Sequence, residues 1–254
     1  MWRFSIEHHQ QRIDRMDSAP MLGRNPKEGY WRACGLQFGD AAQHCSRDPV
    51  FIEAYRAARS RSLVSDDRLR NLFLLLKFHL DALADGHIAE FGTYRGGSAI
   101  FMAMVAKRLH PEVQVFAFDT FDGMPATDAS KDVHQQGDFP MDFEELSAAI
   151  RALGLDNLHL VKGLFEDTAG PVLEAYGPIR LAHIDCDIHA GIEAAYGALK
   201  PAMVPGGYLV FDDPLVASCL GAFEAVEQLL VRGDGLHAEQ VFPHLVYRYP
   251  PLAS

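Results

Sequence analysis

The 254-residue sequence has no Cys-x-x-Cys pair, no run of lysine and arginine, and no apolar stretch approaching the ~18 residues of a membrane helix. Internal repeats and low-complexity tracts are also missing. Each absence narrows the possibilities. The four cysteines, Cys34, Cys45, Cys186 and Cys219, are scattered, so they read as reduced thiols of a cytoplasmic protein and not as a disulfide framework. Cys186, flanked by two aspartates in an apolar run, reads as a small buried filler. No Cys/His set stands at zinc-ligand spacing. A net charge of −11 without any basic cluster argues against nucleic-acid partners, and the short apolar runs argue against a membrane span. The first residues, MWRFSIEHHQQRIDR, lack the apolar segment of a secretory signal.

What is present suits one α/β domain with an N-terminal addition, since 48% of the residues are hydrophobic. Residues 1–47 mix Gly, Pro, Arg and aromatics without period and read as irregular structure, or as an arm packed on a neighbouring subunit of a homo-oligomer. Asp48-Pro49 opens a helix carrying Phe51, Ile52 and Tyr55. Asp66–Ala84 reads as one amphipathic helix, with Leu69, Leu72, Phe73, Leu76, Leu80 and Leu83 at helical spacing. Apolar strands and helices then alternate to the end. The expected helices include 142–153, 169–176, 191–199 and 218–231, with a turn at Val204-Pro205-Gly206-Gly207 and a terminal hairpin from 236–241 and 244–249. The division expected is an arm and helix over 1–60, making substrate and oligomer contacts, and a catalytic domain over 61–254.

The core of that pattern is His87–Ser98, HIAEFGTYRGGS. A short buried strand runs into a glycine turn and then into apolar helix, at the place where an open parallel sheet holds its cofactor. The glycines are read as providing positive φ or close approach to a ligand. The spacing, Gly92 and then Gly96-Gly97, is not the G-x-G-x-x-G of a nicotinamide dehydrogenase. Glu90, just before the turn, would repel a pyrophosphate but would favour a cofactor bearing an amine and a sulfonium.

Other acids follow the strands. Asp119 ends the second strand, placed for the hydroxyls of a ribose. The polar stretch 120–141, which holds His134, is too long for an ordinary connection and reads as a lid or binding loop. Gly163 lets a ligand approach, and Phe165 either lies against a flat ring such as adenine or packs in the core. Asp185 and Asp212-Asp213 stand at the carboxyl ends of two neighbouring strands. Brought together, they would repel one another, which a hard divalent cation relieves; oxygen-only ligands favour Mg²⁺, Ca²⁺ or Mn²⁺. Capping of a helix by the Asp-Asp pair is the competing reading, and Asp187 is either a third ligand or a base.

Taken in order, EFGTYRGGS, FDTFDGMP, HQQGDF, KGLFEDT, HIDCD and GGYLVFDD resemble the macrocin O-methyltransferase (TylF-type) family over roughly residues 60–230. The first of these also resembles motif I of class I S-adenosylmethionine (SAM) methyltransferases of the catechol type. The resemblance implies a Rossmann-like class I sheet of seven strands, the last antiparallel, flanked by helices. It implies SAM and Mg²⁺ (or Mn²⁺) as cofactors and O-methylation of a sugar hydroxyl on a natural product. It places Glu90, Phe91, Gly92, Thr93, Tyr94 and Ser98 around the methionine part of SAM, Asp119 at the ribose, and Gly163 and Phe165 at the adenine. Asp185 meets both cofactor and metal, and Asp185, Asp212 and Asp213 are the metal ligands. Catechol-type enzymes have a lysine base shortly after the first metal aspartate, where this chain has Ile188. Asp187 and His134, and after them His189, are the candidate bases. A catechol or other phenolic acceptor and a non-catalytic SAM-binding module are the alternative readings.

Overall fold

A computed structural model describes residues 40–251. The chain forms two compact units, 1–47 and 48–254. Most of the first lies outside the described residues. Its described part is a helix, α1 (Asp40–Arg47), where the sequence suggested irregular structure. The division falls at 47/48, so the helix next in sequence belongs to the second unit and not to an arm ending at 60.

That helix, α2 (Pro49–Ala58), starts where expected: the Asp48 side chain accepts from the Val50 amide at 2.9 Å, and Pro49 sits in the first turn. α3 (Asp66–Phe78) is capped by Ser65 and has Asp66 and Asp67 against the positive end of its dipole. Leu69, Leu72, Phe73 and Leu76 bury its inner face. It is shorter than its apolar pattern, because Leu80–Ala82 tightens into a 3₁₀ turn.

The remaining α-helices and strands are β1 (His87–Phe91), α4 (Gly97–Leu109), β2 (Val115–Asp119), α5 (Phe143–Ala152), β3 (Leu158–Lys162), α6 (Phe165–Tyr176), β4 (Ile179–Ile184), α7 (His189–Leu199), β5 (Met203–Phe211), α8 (Leu220–Val226), which runs on as a π-helix over Glu227–Gly233, and β6 (Leu245–Tyr249). Among the described residues they make one sheet in the order β3-β2-β1-β4-β5-β6, parallel except for β6. The near-continuous apolar strands β1, β2, β4 and β5 are largely buried on both faces, as inner parallel strands are, whereas the edge strand β3 is partly exposed. The strand order reverses between β1 and β4. Their diverging loops leave a crevice at the carboxyl ends, where such sheets bind ligands.

Four expectations need correction. Among the described residues the sheet has six strands and not seven. The predicted hairpin reduces to β6 and an isolated bridge between Gln240 and Val246, since Val241 and Phe242 are exposed and Pro243 has no amide to donate. The predicted turn at 204–207 lies inside β5: the register jumps from Ile179↔Met203 to Leu181↔Tyr208, so the extra residues form a bulge in a continuing strand. Helix α6 begins at Phe165, earlier than 169, which puts Phe165 in its first turn.

Candidate active site

A cavity of about 550 Å³ opens at the carboxyl ends of β1, β2, β4 and β5. Gly92, Thr93, Tyr94 and Ser98 line it, with Asp119, Phe165, Asp185, Asp187, Asp212, Asp213 and His134. The glycines make room for protein before ligand. A Cβ at Gly92 (φ +87°) would overlap the Asp185 carbonyl, and one at Gly97 would overlap Ser62. These close approaches knit the β1 turn to the end of β4 and to the segment before α3.

Asp119 fixes the shape of this turn. One carboxylate oxygen accepts the amides of Thr93 (2.8 Å) and Tyr94 (2.7 Å), and the other accepts the Phe121 amide (2.7 Å). With the Thr120 hydroxyl also 3.5 Å from Oδ1, most of the carboxylate's about four lone-pair positions are used. Tyr94 is held at φ +45°. The Phe139 ring lies 5.5 Å from those of both Tyr94 and His134, so the long loop folds back over the glycine turn. Phe165 meets Phe91 edge-on at 5.2 Å.

Four residues expected at the site are elsewhere. Glu90 does not reach the cavity wall. It is fully buried, its Oε1 3.0 Å from His183 Nδ1, while Oε2 has no hydrogen-bond partner among the described residues. It faces into the sheet because the register of β1 against β4 sets it directly beside His183. Phe91 is core, stacked on Phe118 at 4.8 Å. Gly163 stands behind the wall, its amide donating to the Asp119 carbonyl at 3.0 Å, and Leu164 and Glu166 line the cavity instead. The His189 ring points to Gln228 Oε1 at 3.3 Å, on the far side of α7's first turn.

The carboxylates do converge. Asp185, Asp212 and Asp213 each offer an oxygen within 4.8 Å of the others. Their environments differ. Burial works against the charge on Asp212, but His183 and His244 outweigh it and hold Asp212 far below the usual carboxylate range. His244 Nε2 is 3.1 Å from its Oδ1, and Arg68 pairs with its Oδ2. Asp185 and Asp213 have no basic side chain paired with them among the described residues. Burial, and then the neighbouring aspartates, push both well above the usual range. Two desolvated carboxylates with oxygen-only chemistry fit a hard dication. Asp212 fits less simply, since Arg68 already occupies one oxygen.

Asp187, at φ +62°, donates its amide to Asp213 Oδ2 at 2.7 Å, which turns its side chain into the cavity. Burial raises its pKa although the nearby His134 opposes this. His134 Nε2 is 3.7 Å from Asp187 Oδ1. Sequence reasoning missed Arg68, His183, His244 and Cys219. His183 had left a trace, as an ionisable residue inside the apolar strand IRLAHI. Arg68 and His244 come from distant elements and had none.

Comparison with known proteins adds a second line. Residues 51–230 match the family described as macrocin-O-methyltransferase (TylF). The chain is 29% identical over 189 residues to the 8-demethyl-8-(2,3-dimethoxy-alpha-L-rhamnosyl)-tetracenomycin-C 4'-O-methyltransferase of Streptomyces olivaceus, covering 69% of this chain and 70% of that one. It is 24% identical over 173 residues to the mycinamicin III 3''-O-methyltransferase of Micromonospora griseorubida, covering 63% and 67%. Among solved structures, the O-methyltransferase NovP superposes with a TM-score of 0.64 at 19% identity, over 82% of this chain and 93% of that one. The calicheamicin methyltransferase CalS11 does so with 0.64 at 20%, over 92% and 98%.

Proposed function

The chain belongs to the macrocin-O-methyltransferase (TylF) family and is a SAM-dependent O-methyltransferase; from that premise we propose that it methylates a sugar hydroxyl of a glycosylated natural product, with Mg²⁺ held chiefly by Asp185 and Asp213. The observation that carries this reading is the meeting, in one cavity, of the Asp119-clamped glycine turn with two desolvated carboxylates that no basic side chain among the described residues pairs. The names of the two curated relatives support the acceptor class, since both act on glycosylated natural products.

In this reading Thr93, Tyr94 and Ser98 bind the methionine part of SAM, the free edge of Asp119 meets the ribose, and Phe165 lies against the adenine. Mg²⁺, when bound, lowers the pKa of the acceptor hydroxyl and fixes its direction. Asp187 and His134 form the basic pair that takes the proton, through Oδ1 or Nε2. An Asp187 pKa raised by burial suits that task. SAM is already activated, so most of the acceleration comes from alignment of the hydroxyl oxygen with the methyl group. The loop 120–141, folded over Tyr94 by Phe139, keeps water from the reacting atoms. Glu90, paired with His183, acts from behind the wall as a positioning residue. The protein acts as a cytoplasmic homo-oligomer. No helix among the described residues is long and apolar enough to cross a membrane.

Calorimetry with S-adenosylhomocysteine tests the division of labour. Asp119→Ala weakens binding, because the turn loses its clamp, whereas Asp187→Asn binds as the wild type does. Equal loss in both variants would contradict the assignment.

A further inference from the structure

His134, Asp187 and Cys219 come from three separate loops and converge on one point of the cavity wall. Cys219 Sγ lies 3.4 Å from Asp187 Oδ1 and 3.7 Å from His134 Nε2, and His134 Nε2 lies 3.7 Å from Asp187 Oδ1. The three atoms thus make a nearly regular triangle. A tetrahedral zinc ion, with about 2.3 Å to sulfur and about 2.0–2.2 Å to nitrogen and oxygen, spaces its donors about 3.4–3.6 Å apart. We propose that His134, Asp187 and Cys219 form a second metal site, selective for Zn²⁺ and similar borderline-soft ions, with its fourth position open to the cavity.

The donor chemistry separates it from the neighbouring aspartates. One nitrogen, one oxygen and one sulfur select zinc or cobalt, whereas Asp185 and Asp213 offer oxygen alone and select magnesium. The site has outer support of the kind zinc sites use. Asp138 Oδ2 is 3.7 Å from His134 Nδ1 and faces the ring nitrogen opposite the ligating one. The Asp187 amide is fixed by Asp213, so its side chain is aimed before any ion arrives. Cys219 is 2% exposed, so the thiol is reached only from the cavity. On binding, the Sγ–H bond breaks, sulfur bonds to the ion, and the proton leaves to solvent. Spacing in sequence gave no hint, since the ligands are far apart along the chain.

Occupation of this site ties up Asp187 and His134. Zinc therefore stops methyl transfer while magnesium supports it, a consequence that rests on the base assignment above. Binding itself does not rest on it.

The test uses the full-length protein, stripped of metal and then saturated with Mg²⁺ to fill the oxygen site. Co²⁺ is the probe, read by its sulfur-to-metal charge-transfer absorption. One equivalent of Co²⁺ produces the band in spite of excess Mg²⁺, and Zn²⁺ bleaches it. Cys219→Ser and Cys219→Ala, each checked for an unchanged melting profile, lose the band, and Asp138→Asn weakens binding about ten-fold. Methyl transfer by Cys219→Ser, compared with that variant's own zinc-free rate, resists zinc inhibition. Absence of the band in the wild type would overturn the proposal without reference to any variant. A band that survives in both Cys219 variants would overturn it equally, by assigning the sulfur to another cysteine.

Discussion

Asp212 is paired with more basic side chains than any other carboxylate of the cavity among the described residues. Arg68 and His244 each contact an oxygen, and His183 stands 3.8 Å away with Glu90 behind it. Removing its charge strands those groups. Asp212→Ala should therefore cost about 3–5 kcal/mol of stability in addition to activity, visible as a large drop in melting temperature. Asp213→Asn should lose Mg²⁺ binding, measured by calorimetry, with little change in melting. If both variants melt alike, the buried network does not have the role given to it. His134→Gln and Asp187→Asn should lower kcat by about 10²–10⁴-fold in steady-state assays, with S-adenosylhomocysteine affinity unchanged. The strand-end acids Asp119, Asp185, Asp212 and Asp213 were legible in the sequence because apolar strands ending in acids signal a ligand edge. The direction of Glu90 was not. It depends on the register of β1 against β4, which sets it beside His183 in place of the cofactor.

At the scale of elements, the long loop 120–141 is anchored in its middle. Asp132 is 8% exposed, and its Oδ1 accepts the His189 amide at 3.0 Å, capping α7 from far along the chain. Gly221, near the start of α8, leaves the space that Asp132 fills, since a Cβ there would overlap its carboxylate. Asp132→Ala should destabilise the fold by about 1 kcal/mol, and Gly221→Ala should do the same by expelling Asp132. Chemical denaturation measures both. An unchanged midpoint in each would show that the loop is not latched there. The sequence disclosed this loop's length and polarity but not its latch, because a cap contributed across so great a separation has no local pattern. A local helix start was readable: Asp48-Pro49 opens α2 as expected, and α5 begins one residue after Asp142, where a helix over 142–153 was expected. The bulge in β5 was misread as a turn for the converse reason, since Pro205-Gly206-Gly207 carries turn chemistry that the sheet overrides.

For the molecule as a whole, strand–helix alternation made the doubly wound sheet legible, and its switch point located the crevice. The fold also sets a pH limit. His87 is kept below the ordinary histidine range, first by burial and then by Arg180 and His159, and His159 is lowered by burial. Consistent with a neutral ring, His87 Nδ1 accepts the Gln114 amide at 3.3 Å. Unfolded, both titrate near about 6.5. Their folded values are lower, so the unfolded chain binds more protons below that pH. Stability is full above about 6.5 and is lost as pH falls through the folded values. Melting temperature should decline from pH 7 to pH 5, and His87→Gln should flatten the decline; an identical slope in the variant would remove His87 as a cause. The central claim joins the two halves of the cavity, a SAM turn and a dication-binding carboxylate pair, in one reaction. Its most direct measurement is transfer of labelled methyl from SAM to a panel of glycosylated natural products, first in chelator and then with Mg²⁺ restored. The account predicts label on a sugar hydroxyl that is lost in chelator, regained with Mg²⁺, and absent in Asp185→Asn and Asp213→Asn. Undiminished transfer in chelator, or in both variants, would contradict it.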